Sequence, residues 1–90
     1  MRKMEIGCSW AGHCACGKRT IEADSFDAFI AGLEKFFEDM CGMSGVDSFY
    51  VLCGDEEFDW DNEDLSRNKD LSNVWKSVKK ELNDFFNACN

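Results

Sequence analysis

Residues 47–61 read DSFYVLCGDEEFDWD, and the fold turns on whether this stretch is one strand trailed by an acidic loop or two strands joined by a turn. Ser48 to Cys53 is rich in aromatic and β-branched residues and apolar on both parities, which predicts a central strand over 48–53. Gly54-Asp55 is turn chemistry, and the residues after it alternate. A fourth strand over 57–61 then puts Phe58 and Trp60 on one side and Glu57, Asp59 and Asp61 on the other. Same-side residues on a strand lie about 6.7 Å apart, comparable to neighbouring phosphates along a nucleic-acid strand.

Working outward, the segment before this one carries Phe26, Phe29, Ile30, Leu33, Phe37, Met40 and Cys41 at steps of three and four. That spacing predicts an amphipathic helix of about four to five turns. Asp24 or Ser25 is its N-cap, and Gly42 or Gly45 ends it. Its polar side holds Asp27, Glu34 and Glu38 in one stripe through Ala31. On the far side of the quoted stretch, Leu71, Val74, Trp75, Val78, Leu82, Phe85, Phe86 and Cys89 form an unbroken helical stripe from about Asn68 onward, with Ser66, Asn68 or Asp70 as caps. At the start of the chain Met4, Ile6, Cys8 and Trp10 alternate with Lys3, Glu5, Gly7 and Ser9, the period of a half-buried strand. KRTIEA, residues 18–23, returns as a second strand after a long hairpin tip. The order is β-β-α-β-(β)-α: an α+β fold with a three- or four-stranded antiparallel sheet and both helices on one face. Ninety residues without proline, repeat or linker make one domain, 1–90.

Charge narrows the function. The net charge is −8, yet residues 1–24 carry +1 and residues 65–90 carry +2, while residues 25–64 set twelve acids against Lys35 alone for −11. Seven of the ten residues 55–64 are acidic. Such a field repels nucleic acid and anionic lipid and attracts basic proteins, so direct nucleic-acid or membrane binding is not expected. No apolar run reaches the length of a signal core or a membrane span, which predicts a cytoplasmic protein.

The six cysteines, Cys8, Cys14, Cys16, Cys41, Cys53 and Cys89, are then expected to stay reduced. Cys8, His13, Cys14 and Cys16 crowd the first hairpin and are the candidate ligands of a small zinc domain. The spacing lacks the usual Cys-x(2–4)-Cys knuckle, and Cys8 has core parity, so no metal or other cofactor is expected. Cys41, Cys53 and Cys89 fall on apolar stripes as small core residues. Enzymatic chemistry has little to work with: the one histidine, His13, adjoins Cys14, and neighbours on a strand point to opposite faces. No phosphate loop, nucleophile elbow or metalloprotease motif is present. The acidic run also lacks the glycine and residue order of a calcium loop.

What remains is a binding surface. Phe58 and Trp60 read as anchors, Glu57, Asp59 and Asp61 as a steering rim, and Asp27, Glu34 and Glu38 as its extension over the first helix. The partner implied is a protein with a basic nucleic-acid-binding groove. In size, acidity and lack of a catalytic signature the chain resembles the small phage-encoded inhibitors of bacterial defence, the anti-CRISPR proteins. That resemblance implies a non-enzymatic inhibitor acting in the cytoplasm of a bacterial host cell. Its target would be a CRISPR effector, whose DNA- or guide-binding channel several of that class occupy as nucleic-acid mimics. Immunity proteins that neutralise nuclease toxins share the profile and give the alternative.

Overall fold

The computed structural model describes residues 2–10, 16–61 and 71–89. Their order is β1 (Arg2–Trp10), β2 (Cys16–Ala23), α1 (Phe26–Met40), a 3-10 turn (Met43–Gly45), β3 (Val46–Cys53), β4 (Glu56–Asp61) and α2 (Leu71–Ala88). The strands form one antiparallel sheet in the order β2-β1-β3-β4, so the fourth strand is present and lies at an edge. The hairpin tip and the expected caps of α2 lie outside the described residues.

Local chemistry accounts for the elements. In the β3–β4 hairpin Cys53 pairs with Glu56 across Gly54 and Asp55. Gly54 has φ +61°, the sign that tight hairpin turns need and that a side chain resists. Ser25 caps α1 with its hydroxyl accepting from the Ala28 amide at 3.2 Å. At the other end the Cys41 and Gly42 amides both donate to the Phe37 carbonyl, and Gly42, at φ +81°, leads the chain out of the helix. β2 and β3 flank β1, so α1 bridges over β1 between them.

Both helices cover one face. Met4, Ile6, Cys8, Phe49, Val51 and Cys53 are buried beneath Phe29, Ile30, Leu33, Phe36 and Phe37 of α1 and Leu71, Trp75, Val78, Leu82, Phe85 and Phe86 of α2. Phe37 is the junction of three elements, with ring centroids 5.1 Å from Phe49 of β3 and 5.9 Å from Trp75 of α2. Phe29 stacks on Phe86 at 5.5 Å and so joins helix to helix. Arg2 closes the layer from the first strand: its Nε donates to the Cys89 carbonyl at 2.7 Å and its guanidinium lies 4.2 Å from the Phe86 ring centre. Among the described residues no helix is long and apolar enough to cross a membrane.

One expectation is corrected. Cys53 and Cys89 are joined by a disulfide, where reduced thiols were expected. The packing of α2 along the sheet brings the end of β3 and the residue after α2 to a Cα separation of 6.2 Å, within disulfide range. Periodicity places both residues in the core and says nothing of their mutual distance. Cys8 and Cys41 take part in no disulfide.

Candidate protein-docking face

Among the described residues no element layers over the sheet face turned away from the helices. The residues of that face follow from strand parity: Lys3, Glu5, Gly7 and Ser9 on β1, Lys18, Thr20 and Glu22 on β2, Ser48, Tyr50 and Leu52 on β3, and Glu57, Asp59 and Asp61 on β4. They form rows across the strands. Thr20, Glu5, Leu52 and Glu57 make one, Lys18, Gly7, Tyr50 and Asp59 the next, and Ser9, Ser48 and Asp61 the third. The carboxylates thus line the outer edge of the face in single file, on strand β4, all exposed. Among the described residues no basic side chain pairs with any of the three. Charge on an edge strand also discourages another strand from adding to it.

Tyr50 is the centre of this surface. A Cβ on Gly7 would stand 2.5–2.8 Å from Cε1, Cζ and the hydroxyl oxygen of Tyr50, so the ring lies over bare backbone. Its hydroxyl donates to Glu5 Oε2 at 2.9 Å, and the Ser9 and Ser48 hydroxyls share a hydrogen bond of 2.7 Å beside it. Between the ring and the carboxylate edge runs an open depression of about 410 Å³, lined by Gly7, Ser9, Ser48, Tyr50, Asp59 and Asp61 among others. Leu52, at 36% exposure, is the one large apolar side chain left open on the described surface.

The structure divides the expected site residues into three groups. Glu57, Asp59 and Asp61 are on the open face. Phe58 and Trp60, as their parity predicts, are on the opposite side of the same strand, half-buried against the core. Phe58 lies 5.9 Å from Phe49 and 6.0 Å from Phe85, and Trp60 stacks on Phe49 at 6.1 Å. They hold β4 down from beneath and do not stud the acidic surface.

Asp27, Glu34 and Glu38 form the third group, and they do not extend the β4 edge. Helix α1 sits on the other face of the sheet, so its acids look away from those of β4. Glu34 is engaged, accepting from Trp75 Nε1 at 2.9 Å and tying α1 to α2, while Asp27 and Glu38 are exposed. A polar helical stripe tells which side of a helix is wet and not which side of the sheet the helix covers.

Of the candidate zinc ligands, His13 and Cys14 lie outside the described residues and Cys16 is placed only by its backbone, opposite Ser9. Cys8 is buried in the core, its thiol hydrogen-bonded to Cys41. Burial pushes the Cys41 thiol up, aided by the carboxylates of Asp47 and Glu38 and opposed by the Cys8 bond. Such a thiol is a poor nucleophile at neutral pH. No cluster of three His, Cys, Asp or Glu side chains able to hold a metal occurs among the described residues.

Comparison with protein-family models, curated proteins and solved structures finds no match to this chain. Geometry and charge therefore carry the functional reading. Sequence reasoning missed Tyr50, Glu5, Gly7 and the Ser9–Ser48 pair. Apolar residues on both parities of β3 read as a strand buried on both faces, and only the register of β1 against β3 reveals that a glycine faces the tyrosine.

Proposed function

We propose that this chain is a non-enzymatic inhibitor, anti-CRISPR-like in its mode of action, that docks its open acidic sheet face into the basic groove of a nucleic-acid-handling protein. A CRISPR effector or a nuclease in a bacterial cytoplasm is the target class. The observation that carries the reading is the file of Glu57, Asp59 and Asp61. These carboxylates stand at alternate residues of an edge strand, unpaired among the described residues, on a face that neither helix covers. Repeated negative charge at about 6.7 Å is what a phosphate-binding groove is built to receive, and displaced counterions would make the attraction steeply salt-dependent. Phe58 and Trp60 contribute by keeping the strand flat on the core, not by direct contact.

The test is affinity capture from a bacterial lysate, with the retained proteins identified by mass and then challenged with salt and with DNA. The expected prey has a nucleic-acid channel and is displaced by DNA. The double substitution Asp59→Lys with Asp61→Lys should abolish its retention while the domain stays folded. Unchanged affinity in that folded variant would sink the proposal.

A further inference from the structure

We infer that Cys8 and Cys41 are a second bridging site, a dithiol that a small disulfide oxidant such as oxidised glutathione converts to a disulfide fastening α1 to β1. The inference goes beyond acidic docking and does not rest on it. What carries it is the placement of the two cysteine pairs. Cys89 is the residue directly after α2, and it is bonded to Cys53, a buried residue of the central strand β3. Cys41 is the residue directly after α1, and its thiol is hydrogen-bonded to that of Cys8, a buried residue of the other central strand, β1. The plan is the same twice: the end of a helix delivers a cysteine to a buried cysteine on a central strand. One pair is bonded and the other is in contact. Because β1 and β3 run antiparallel, with Cys8 opposite Phe49 and Cys53 at the far end of β3, the two pairs hold the two helices toward opposite ends of the sheet.

Exposure sets the order of the chemistry. Cys8 is 4% exposed, whereas Cys41 is half-buried and is the sulfur an oxidant meets first. Cys41 Sγ donates to the Gly42 carbonyl at 3.5 Å, so the Cys8 thiol is left to donate to the Cys41 sulfur, the direction that favours a Cys41 thiolate. That thiolate attacks one sulfur of the oxidant and expels a glutathione thiolate, leaving a mixed disulfide. The Cys8 sulfur, already in contact, then attacks Cys41 Sγ, closes a bond of about 2 Å and expels the second glutathione thiolate. The two cysteine protons end on the two glutathione thiols, and the two electrons lost by the protein sulfurs reduce the oxidant. Metal capture is the weaker use of the pair: structural zinc takes four ligands, and no cluster of three ligating side chains occurs among the described residues.

The experiment incubates the folded chain with oxidised glutathione in mildly alkaline buffer, where a thiol raised by burial begins to ionise. After an acid quench the remaining thiols are blocked in denaturant and the chain is digested with chymotrypsin without reductant. Cleavage after Trp10 parts Cys8 from Cys14 and Cys16, and cleavage after Phe49 or Tyr50 parts Cys41 from Cys53. The expected result is that Cys8 and Cys41 lose their blocking groups together and appear in one cross-linked peptide pair, beside the pair joined through Cys53 and Cys89. Cys8→Ala should stop the exchange at its first step, with glutathione retained on Cys41, and a native-like circular dichroism spectrum checks that variant's fold. The parent decides the cross-link whether or not the variant folds. Cys41 joined to Cys14 or Cys16 instead overturns the inference. So does recovery of both Cys8 and Cys41 as blocked thiols while Cys53 and Cys89 are found joined.

Discussion

Arg19 sits on the helix-facing parity of the edge strand β2, in register with buried Ile6, a place where a charge needs a way out. Its stem supplies one: the guanidinium rides 5.4 Å from the Phe36 ring centre and reaches Asp39 at 3.0 Å, where Lys35 also arrives at 3.4 Å. The Arg19 hydrogen bond, helped by Lys35, holds the Asp39 carboxyl below its ordinary 3.8, and partial desolvation opposes it. A carboxyl lowered in the folded state adds stability that is complete above 3.8 and fades as pH falls through the folded value. Asp39→Asn should therefore narrow its deficit against the parent as acid is added, read from urea midpoints over a pH series. A deficit that ignored pH would mean the pair acts by packing alone. The pair is exposed, so the effect should be small.

Elements behave according to what they share. Strand β4 and helix α2 are both late in the chain, and both are pinned to the centre, β4 through Phe58 and Trp60 and α2 through Trp75, Phe85 and the Cys53–Cys89 bridge. The bridge closes a loop with a sequence separation of 36. Loop-closure entropy puts its contribution at about 4 kcal/mol. Cys89→Ala, or reduction of the parent with dithiothreitol, should lower the thermal midpoint, and the variant should no longer respond to the reductant. A parent indifferent to reductant would show that packing around α2 suffices. At this scale most of the architecture was legible in the chain. The stripes of α1 and α2, the alternation in β1 and the Gly54-Asp55 turn each report a local period, and local periods survive folding. Relations between elements were not legible. The meeting of Cys53 with Cys89, the separation of Asp27 and Glu38 from the β4 edge, and the lodging of Tyr50 on Gly7 depend on where one element crosses another.

Across the whole molecule, among the described residues, both faces carry charges of each sign, Lys3 and Lys18 on the sheet face and Asp27, Glu38 and Asp39 on the helical side, but acid gathers at the β4 edge. The open sheet face ends in Glu57, Asp59 and Asp61, while on the helical side Lys76, Lys79 and Lys80 line an open depression with Phe26 and Asn83. A basic partner approaching from a distance is thus turned toward the β4 edge, an orienting effect that shortens as added salt contracts the screening length from about 10 Å at 0.1 M to 3 Å at 1 M. The clasp between Arg2 and Cys89 has a different outcome, one of topology. Because β1 and the residue after α2 hold each other directly, residues 2–89 trace nearly a closed ring. Its starting point becomes a matter of choice. A chain rejoined there by a short glycine bridge and reopened between Gly54 and Asp55 would run β4-α2-β1-β2-α1-β3, with every layer contact still within reach. It should give the parent's circular dichroism spectrum and a cooperative melt. If it did not, the two-residue turn would be revealed as a requirement for β4 to find its edge. If it did, the acidic strand could be carried at the very front of the polypeptide, where a library of altered edges is simplest to build.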